Sequence, residues 1–252
     1  MSSISSSLPI PARALAVGAH PDDVEFGAGA TLARWAEVGC EVSLVVCTDG
    51  SKGTWDSEAD LTELIATRQE EARAAAEELG ATGEVVFLGV ADGELANDRD
   101  LRAELVRHIR RLQPDVLLGH DPWKRYRLHP DHREAGFLTC DALVAARDPH
   151  FFPEQLGPDL SHHRPGTLLL FEADEPDHAE AAGPRHVDAK IAALEAHRSQ
   201  FESTMFISAE DHSEAHEERE RFRAEIREEM SEAGRRAGID AAELFRLMPT
   251  DR

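Results

Sequence analysis

Apolar and polar positions alternate along the chain in blocks that predict a repeated strand–helix order. The short apolar runs typical of buried strands cover 13–20, 41–50, 83–90, 114–120 and 167–174. The stretches with helical spacing cover 29–39, 59–80, 98–113, 131–147 and 185–203. Strands and helices that take turns with short connections predict an α/β fold, a Rossmann-like three-layer sandwich with a mostly parallel sheet.

Polar clusters follow the first four predicted strands, at the point where each strand ends. They are HPDD (20–23), TDGSKG (48–53), ADGE (91–94) and HDPWKRYRLHPDH (120–132). In an open α/β sheet, ligands bind outside the carboxyl ends of the strands. We therefore expect these clusters to lie together and to form a site at the C-terminal ends of the strands.

The two ends of the chain lack this alternation. Residues 1–12 carry neither the basic nor the apolar region of a signal peptide, so we expect a short disordered leader. The main domain is expected over 13–205. From 206 to 252 the chain is charged with sparse apolar positions such as Phe222 and Ile226, which favours an exposed helical extension. No run approaches the ~18 consecutive apolar residues that a membrane span needs.

Composition narrows the class of partner. The 252-residue chain carries 49 acidic and 27 basic side chains, a formal net charge of −22. Nucleic acids and anionic membranes bind basic surfaces, so we expect neither as a partner. Cys40, Cys47 and Cys140 have no metal-type spacing and are expected to be buried, reduced side chains of a cytoplasmic protein.

Two short motifs concentrate the residues that can perform chemistry. AHPDD (19–23) follows the first predicted strand, and HPDH (129–132) precedes a predicted helix. Together, His20, Asp23 and His132 supply two imidazoles and one carboxylate, which is the ligand set of a catalytic zinc site. Iron(II), manganese and cobalt suit the same donors. The alternative is that both motifs only cap helices, which explains one aspartate but not two with a histidine.

These motifs, in this order, resemble the LmbE-like, or PIG-L, family of zinc-dependent N-acetylglucosaminyl deacetylases. The resemblance covers about residues 13–147 and includes TDGSKG, TRQEEARAAAEELG (67–80) and LGVADGEL (88–95), with a weaker echo in HRSQ (197–200). It implies a metal-dependent hydrolase that removes an acetyl group from an N-acetylated sugar or glycoconjugate. It also implies a homo-oligomer, either a trimer or a hexamer.

The resemblance assigns the metal ligands and two catalytic residues. His20, Asp23 and His132 would hold the zinc ion. Asp22 would be the general base that takes a proton from the attacking water. His129 would stand across the site as a cationic partner, which stabilises the oxyanion or protonates the leaving amine.

The resemblance also assigns three supporting residues. Asp131 would hydrogen-bond His129 and raise its pKa. Arg68 and Asp92 match positions that grip substrate hydroxyls in family members. The alternatives are that Arg68 pairs with a glutamate on an exposed helix face, and that Asp92 is a turn residue before Gly93. His197 of HRSQ either packs inside a helix interface or lines the pocket.

The segment WKRYRL (123–128) departs from the family pattern. Sugar deacetylases of the family often carry a tyrosine two residues before the first histidine of the second motif, where this chain has Arg127. Tyr126 lies one residue further back. The neighbouring Lys124 and Arg125 are explained equally by a substrate with a phosphate or carboxylate and by a solvated loop.

Two rival interpretations remain beside the deacetylase. One is a metal-dependent amidase or esterase that acts on a non-sugar acyl substrate, and another is a non-catalytic metal-binding relative. GAGATLA (27–33) imitates a dinucleotide-binding glycine fingerprint, but Leu32 stands at the third glycine position. The carboxylates of Asp22 and Asp23 would repel phosphates, so we expect Gly27 and Gly29 to serve close helix–strand packing instead.

Overall fold

The computed structural model describes residues 4–208 and 213–250, within which eight strands form one sheet. The strands are β1 (Ser5–Ser6), β2 (Arg13–Gly18), β3 (Glu41–Thr48), β4 (Val85–Val90), β5 (Val116–His120), β6 (Thr167–Phe171), β7 (His178–Ala181) and β8 (Ala242–Pro249). Their order across the sheet is β1-β7-β8-β6-β5-β2-β3-β4. Every pair is parallel except the two pairs that β8 makes, with β6 and β7. The predicted mostly parallel sheet is confirmed.

Helices cover both faces of this sheet. The described helices are α1 (Asp23–Glu37), α2 (Leu61–Glu78), α3 (Arg99–Leu112), α4 (Pro130–Ala146), α5 (Pro184–Ala196) and α6 (Ser213–Ala237). Alternate side chains of β2 point to opposite faces, so Leu15 and Val17 pack with α3 and α4, while Ala14 and Ala16 pack with α1, α2 and α5. The three layers of the predicted sandwich follow from this alternation. No described helix combines the length and apolarity that crossing a bilayer requires.

Helix α1 begins at Asp23, inside the HPDD motif and well before the predicted start at residue 29. Its early start places the motif at the helix N-terminus. A Cβ on Gly27 would lie 2.5 Å from the ring of Phe171, so glycine lets α1 approach β6, as expected. Gly29 serves a different contact, because its Cβ would meet Lys190 of α5 at 3.1 Å.

The structure contradicts the expected disordered leader for residues 4–12. Ser5–Ser6 form β1, which pairs in parallel with β7 at the edge of the sheet. Leu8 and Ile10 then pack against the apolar core, and the Leu8 amide donates to Glu180 Oε1 at 2.7 Å. A two-residue strand is too short to show periodicity, which is why the sequence pattern missed it. Residues 1–3 lie outside the described part.

The expected helical extension over 206–252 is correct only for α6. Residues Ala242–Pro249 form β8 in the middle of the sheet, with Phe245 fully buried. Glu243 gave this segment a polar appearance, yet it is buried in an ion pair with Lys190 at 2.6 Å. The chain after residue 205 therefore completes the same sheet instead of extending from it. Residues 209–212 lie outside the described part.

The predicted helix over 185–203 is shorter in the structure. Helix α5 ends at Ala196, and a 3₁₀ turn (Arg198–Gln200) and a π-helical turn (Phe201–Met205) replace its last part. The 3₁₀ turn contains the last three residues of the HRSQ motif, and the two turns carry Gln200 and Ser203 to the edge of the sheet where the site lies.

Candidate active site

The loops that follow β2, β3, β4, β5 and β6 converge on a cavity of about 630 Å³ at the C-terminal edge of the sheet. The strand order places β2 between β3 and β5, which is the position where open α/β sheets form a binding crevice. The predicted site residues that line the cavity are His20, Asp22, Asp23, Arg68, Asp92, His129 and His132. Asp131 is fully buried beside His20.

The carboxylate of Asp23 lies among three imidazoles. Its Oδ2 is 3.3 Å from His20 Nδ1 and 3.2 Å from His120 Nε2, and its Oδ1 is 3.3 Å from His132 Nε2. Ligand atoms around a tetrahedral zinc ion with bonds of about 2.0–2.1 Å lie about 3.3 Å apart. His20 and His132 therefore each lie at ligand spacing from Asp23, but they approach different oxygens of its carboxylate. Among the described residues, the groups whose donor atoms all lie within 4.8 Å of one another are Asp23 with His120 and His132, His20 with His129 and His132, and His20 with Asp92 and Asp131.

The surroundings of this cluster are strongly anionic. His20 Nε2 lies 3.2 Å from both Asp92 Oδ1 and Asp131 Oδ2. Burial opposes protonation of His20, but its hydrogen bonds to Asp131, Asp23 and Asp92 raise its pKa to about 12. Burial also opposes ionisation of Asp23, yet His120 and His132 hold its pKa well below the usual range. Carboxylates packed this closely favour a divalent cation.

Helix capping does not account for either motif. Asp22 and His129 occupy the N-cap positions of α1 and α4, and neither side chain caps its helix. Asp22 is buried and has a left-handed backbone, with φ of 102°. A non-glycine residue held in this conformation is strained, and such strain concentrates at functional sites. Burial raises the pKa of Asp22 to about 6, although Arg68, 3.6 Å away, favours the ionised form.

Asp131 does not have the predicted partner. Its carboxylate accepts hydrogen bonds from the amides of Gly93 at 2.6 Å and Leu95 at 3.3 Å, and contacts His20 instead of His129. It therefore ties the loop after β4 to the first turn of α4. The pKa of His129 is lowered, because burial and the neighbouring His20 outweigh the raising effect of the Asp131 charge. The predicted hydrogen bond to His129 is replaced because the Asp131 carboxylate turns inward to the loop amides.

Arg68 is buried, which rules out the alternative of an exposed pair on the helix surface. Its guanidinium donates to the carbonyls of Gly50 at 2.7 Å and Pro21 at 2.8 Å, so it joins the HPDD turn to the TDGSKG loop. Asp92 is also more than a turn residue. It accepts a hydrogen bond from the Lys52 amide and faces the cavity next to the imidazole of His20.

The HRSQ motif divides between packing and the cavity. His197 is fully buried, and its Nε2 lies 3.7 Å from Glu25 Oε1. Gln200 lines the cavity, and its side-chain amide donates to the Gly53 carbonyl at 3.2 Å. The open question about His197 is thus answered in favour of packing, whereas Gln200 forms part of the wall.

Sequence reasoning missed two residues of the cluster, His120 and Glu172. His120 ends β5 and was expected at the site only as part of the polar cluster 120–132, without a role of its own. Glu172 follows β6 and was included in the fifth predicted strand. The signal available was position, since His120 opens the polar cluster that follows the fourth predicted strand. The basic WKRYRL segment is also largely paired: Arg127 and Lys124 contact Glu172, and Arg125 contacts Glu175 at 3.8 Å.

A mostly parallel α/β sheet whose loops bring histidines and carboxylates together at the C-terminal ends of the strands defines the Rossmann-like class of α/β proteins, which bind ligands at that edge. Residues 15–143 match the PIG-L family, described as GlcNAc-PI de-N-acetylase. The chain belongs to this deacetylase family, as the motifs predicted.

Comparison with individual proteins agrees with the family. The chain is 35% identical over 189 residues to the diacetylchitobiose deacetylase of Thermococcus kodakarensis, covering 75% of this chain and 70% of that protein. It is 37% identical over 167 residues to the 1D-myo-inositol 2-acetamido-2-deoxy-alpha-D-glucopyranoside deacetylase of Streptomyces avermitilis, where the match spans 56% of each. The structure of N,N'-diacetylchitobiose deacetylase from Pyrococcus horikoshii superposes with a TM-score of 0.82 at 30% identity, over 95% of this chain and 85% of that one.

Proposed function

We propose that the chain is a zinc-dependent de-N-acetylase that hydrolyses the acetamido group of an N-acetylglucosamine unit linked to a second ring. The observation that carries the proposal is the carboxylate of Asp23 among imidazoles, beside the buried Asp22, on the wall of an open cavity. The names of the two relatives support the substrate class, because diacetylchitobiose and the acetamido-glucopyranoside of inositol both contain such a unit.

In this proposal, His20, Asp23 and His132 hold the metal ion. A zinc ion at this position would supply Lewis acidity and would lower the pKa of water from 15.7 to about 7. Iron(II), manganese or cobalt would suit the same donors, and zinc is the ion we propose among these four.

The remaining residues position the substrate and move protons. Asp22 accepts the proton of the attacking water, because its carboxylate lies in the cavity wall directly beside Asp23. His129 lines the same cavity, and its N–H donates to the carbonyl oxygen as negative charge develops there. Arg68 and Asp92 also line the cavity, where they receive substrate hydroxyls. The leaving amine then takes up the proton that Asp22 has accepted.

The test combines metal analysis with an amine-release assay on N,N'-diacetylchitobiose. Asp22→Asn preserves the shape of the side chain but removes the base, so kcat should fall about 10²–10⁴-fold while the metal content stays at the wild-type value. Full activity of this variant would contradict the mechanism. If the protein binds metal but turns over no acyl substrate, it is a non-catalytic metal-binding relative. If it hydrolyses only non-sugar acyl substrates, it is a metal-dependent amidase or esterase outside the sugars.

A further inference from the structure

Glu172 lies at the rear of the metal-binding cluster, immediately after β6. Its Oε2 is 3.0 Å from His120 Nδ1 and 2.6 Å from Arg127 Nη1. Since a carboxylate only accepts, both nitrogens donate to it. The backbone of Glu172 has φ of 57°, a left-handed conformation that a non-glycine residue adopts at a cost. The carboxylate of Glu172 therefore accepts hydrogen bonds from both His120 and Arg127, and its backbone is strained.

Each of these two side chains reaches a predicted metal ligand on its other side. His120 Nε2 lies 3.2 Å from Asp23 Oδ2. Arg127 Nη1 lies 3.1 Å from His132 Nδ1, on the edge of the ring opposite the Nε2 that faces Asp23. Glu172 is therefore connected to Asp23 through His120. Arg127 only donates, so its contact with His132 requires an unprotonated Nδ1 and does not support cation binding through Nε2 of that ring.

The two partners of Glu172 are buried, whereas the Glu172 side chain itself is 38% exposed. The side chains of His120 and Arg127 are 1% and 5% exposed, so neither can exchange its partners for bulk water. Buried charged groups are expensive unless they are paired, and removing one partner leaves the other uncompensated. Residues that hydrogen-bond to metal ligands fix the orientation of those ligands and tune their affinity for the ion.

We propose that Glu172 is a positioning residue of the cation site, which fixes the orientation of Asp23 through His120. The inference rests on the metal site of the proposed function. It concerns this chain's own residues, because Arg127 stands at the position where family members often have a tyrosine.

The experiment measures zinc affinity by competition with a chromophoric chelator, which reports binding without any enzymatic turnover. Glu172→Gln keeps the size of the side chain but removes the charge, so the Kd for zinc should rise about 10–100-fold. The matched control is Asp174→Asn, which removes a carboxylate two residues further on that faces a separate cavity. This control should bind zinc as the wild type does.

A second variant keeps the test decisive if Glu172→Gln does not fold. Glu172→Asp retains the charge opposite Arg127 but shortens the side chain by one methylene, so it should fold and still bind zinc more weakly. The absorption spectrum of the Co²⁺-loaded protein should change in both variants, because Asp23 loses its fixed orientation.

The possible failures are distinguishable. If the wild type binds no zinc, the proposed function itself is refuted, and this inference with it. If the wild type binds zinc and the folded Glu172 variants bind it equally well with unchanged cobalt spectra, only the positioning role is refuted.

Discussion

Replacing Arg110 by methionine is predicted to destabilise the fold without altering the chemistry of the site. Arg110 of α3 is 1% exposed and donates to the carbonyls that end α4 and to those of the following loop. The acceptors are the carbonyls of Ala145, Ala146, Asp148, Phe151 and Phe152, at 2.7–3.3 Å, and Gln155 Oε1 at 3.2 Å. Because α4 carries HPDH at its other end, Arg110 anchors the helix that presents half of the site.

The size of the stability loss depends on how many hydrogen-bond donors each of these carbonyls keeps after Arg110 is replaced. Ala145, Ala146 and Phe152, whose contacts with Arg110 are buried, each keep at least one backbone donor, from Asp148, His163 and Gln155 respectively. The loss is therefore the net value of a hydrogen bond, about 1 kcal/mol each, and not the larger cost of leaving a polar group without any partner. Methionine fills much of the same volume, so the free energy of unfolding should fall by about 3 kcal/mol.

Urea denaturation followed by circular dichroism measures this change, with Arg107→Met as the matched control. Arg107 lies on the same helix and is exposed, so its replacement should change stability by no more than about 0.5 kcal/mol. The kcat of folded Arg110→Met should equal that of the wild type, since α4 begins with the same residues at the site. A loss below about 1 kcal/mol would refute the idea that Arg110 anchors the end of α4.

The remaining predictions concern the cavity, the thiols and the metal. Trp55 lines the cavity and is 74% exposed, so Trp55→Ala should raise KM for N,N'-diacetylchitobiose more than for N-acetylglucosamine, whereas Trp123→Ala, in a separate cavity, should change neither. Burial raises the pKa of Cys40 to about 11 and that of Cys140 to about 12, and it also raises the pKa of Cys47. Alkylation of the folded protein at pH 8 should therefore be slow and should accelerate as pH rises, and fast reaction of any thiol would contradict this burial. Removal of metal by a chelator should abolish amine release, and added Zn²⁺ should restore it; activity that survives complete metal removal would exclude a metal mechanism.

The fold was largely predictable because its central strands are apolar enough to stand out from the helices between them. Strands β2 to β6 match the five predicted runs closely. Strand β8 was not predictable in the same way, since Glu243 is polar in sequence and becomes a core residue only through Lys190 of α5. Its partner β7 has four residues, too few for a periodic signal.

The site was predictable where a motif holds several functional residues close together in sequence. HPDD and HPDH brought His20, Asp23 and His132 to one cluster, as expected from the ends of neighbouring parallel strands. The role of Glu172 depends on how β6 pairs with β5, which no local pattern encodes. The partner of Asp131 was predicted wrongly because it depends on the loop after β4, whose amides take the carboxylate.

X-ray diffraction at the zinc absorption edge, on crystals grown with Zn²⁺, measures directly whether a cation binds between the HPDD turn and the HPDH loop. We expect one anomalous peak within bonding distance of His20, Asp23 and His132, at about 2.0–2.2 Å from each ligand atom. Fully occupied zinc elsewhere, or no peak at this position despite stoichiometric zinc in solution, would contradict the account.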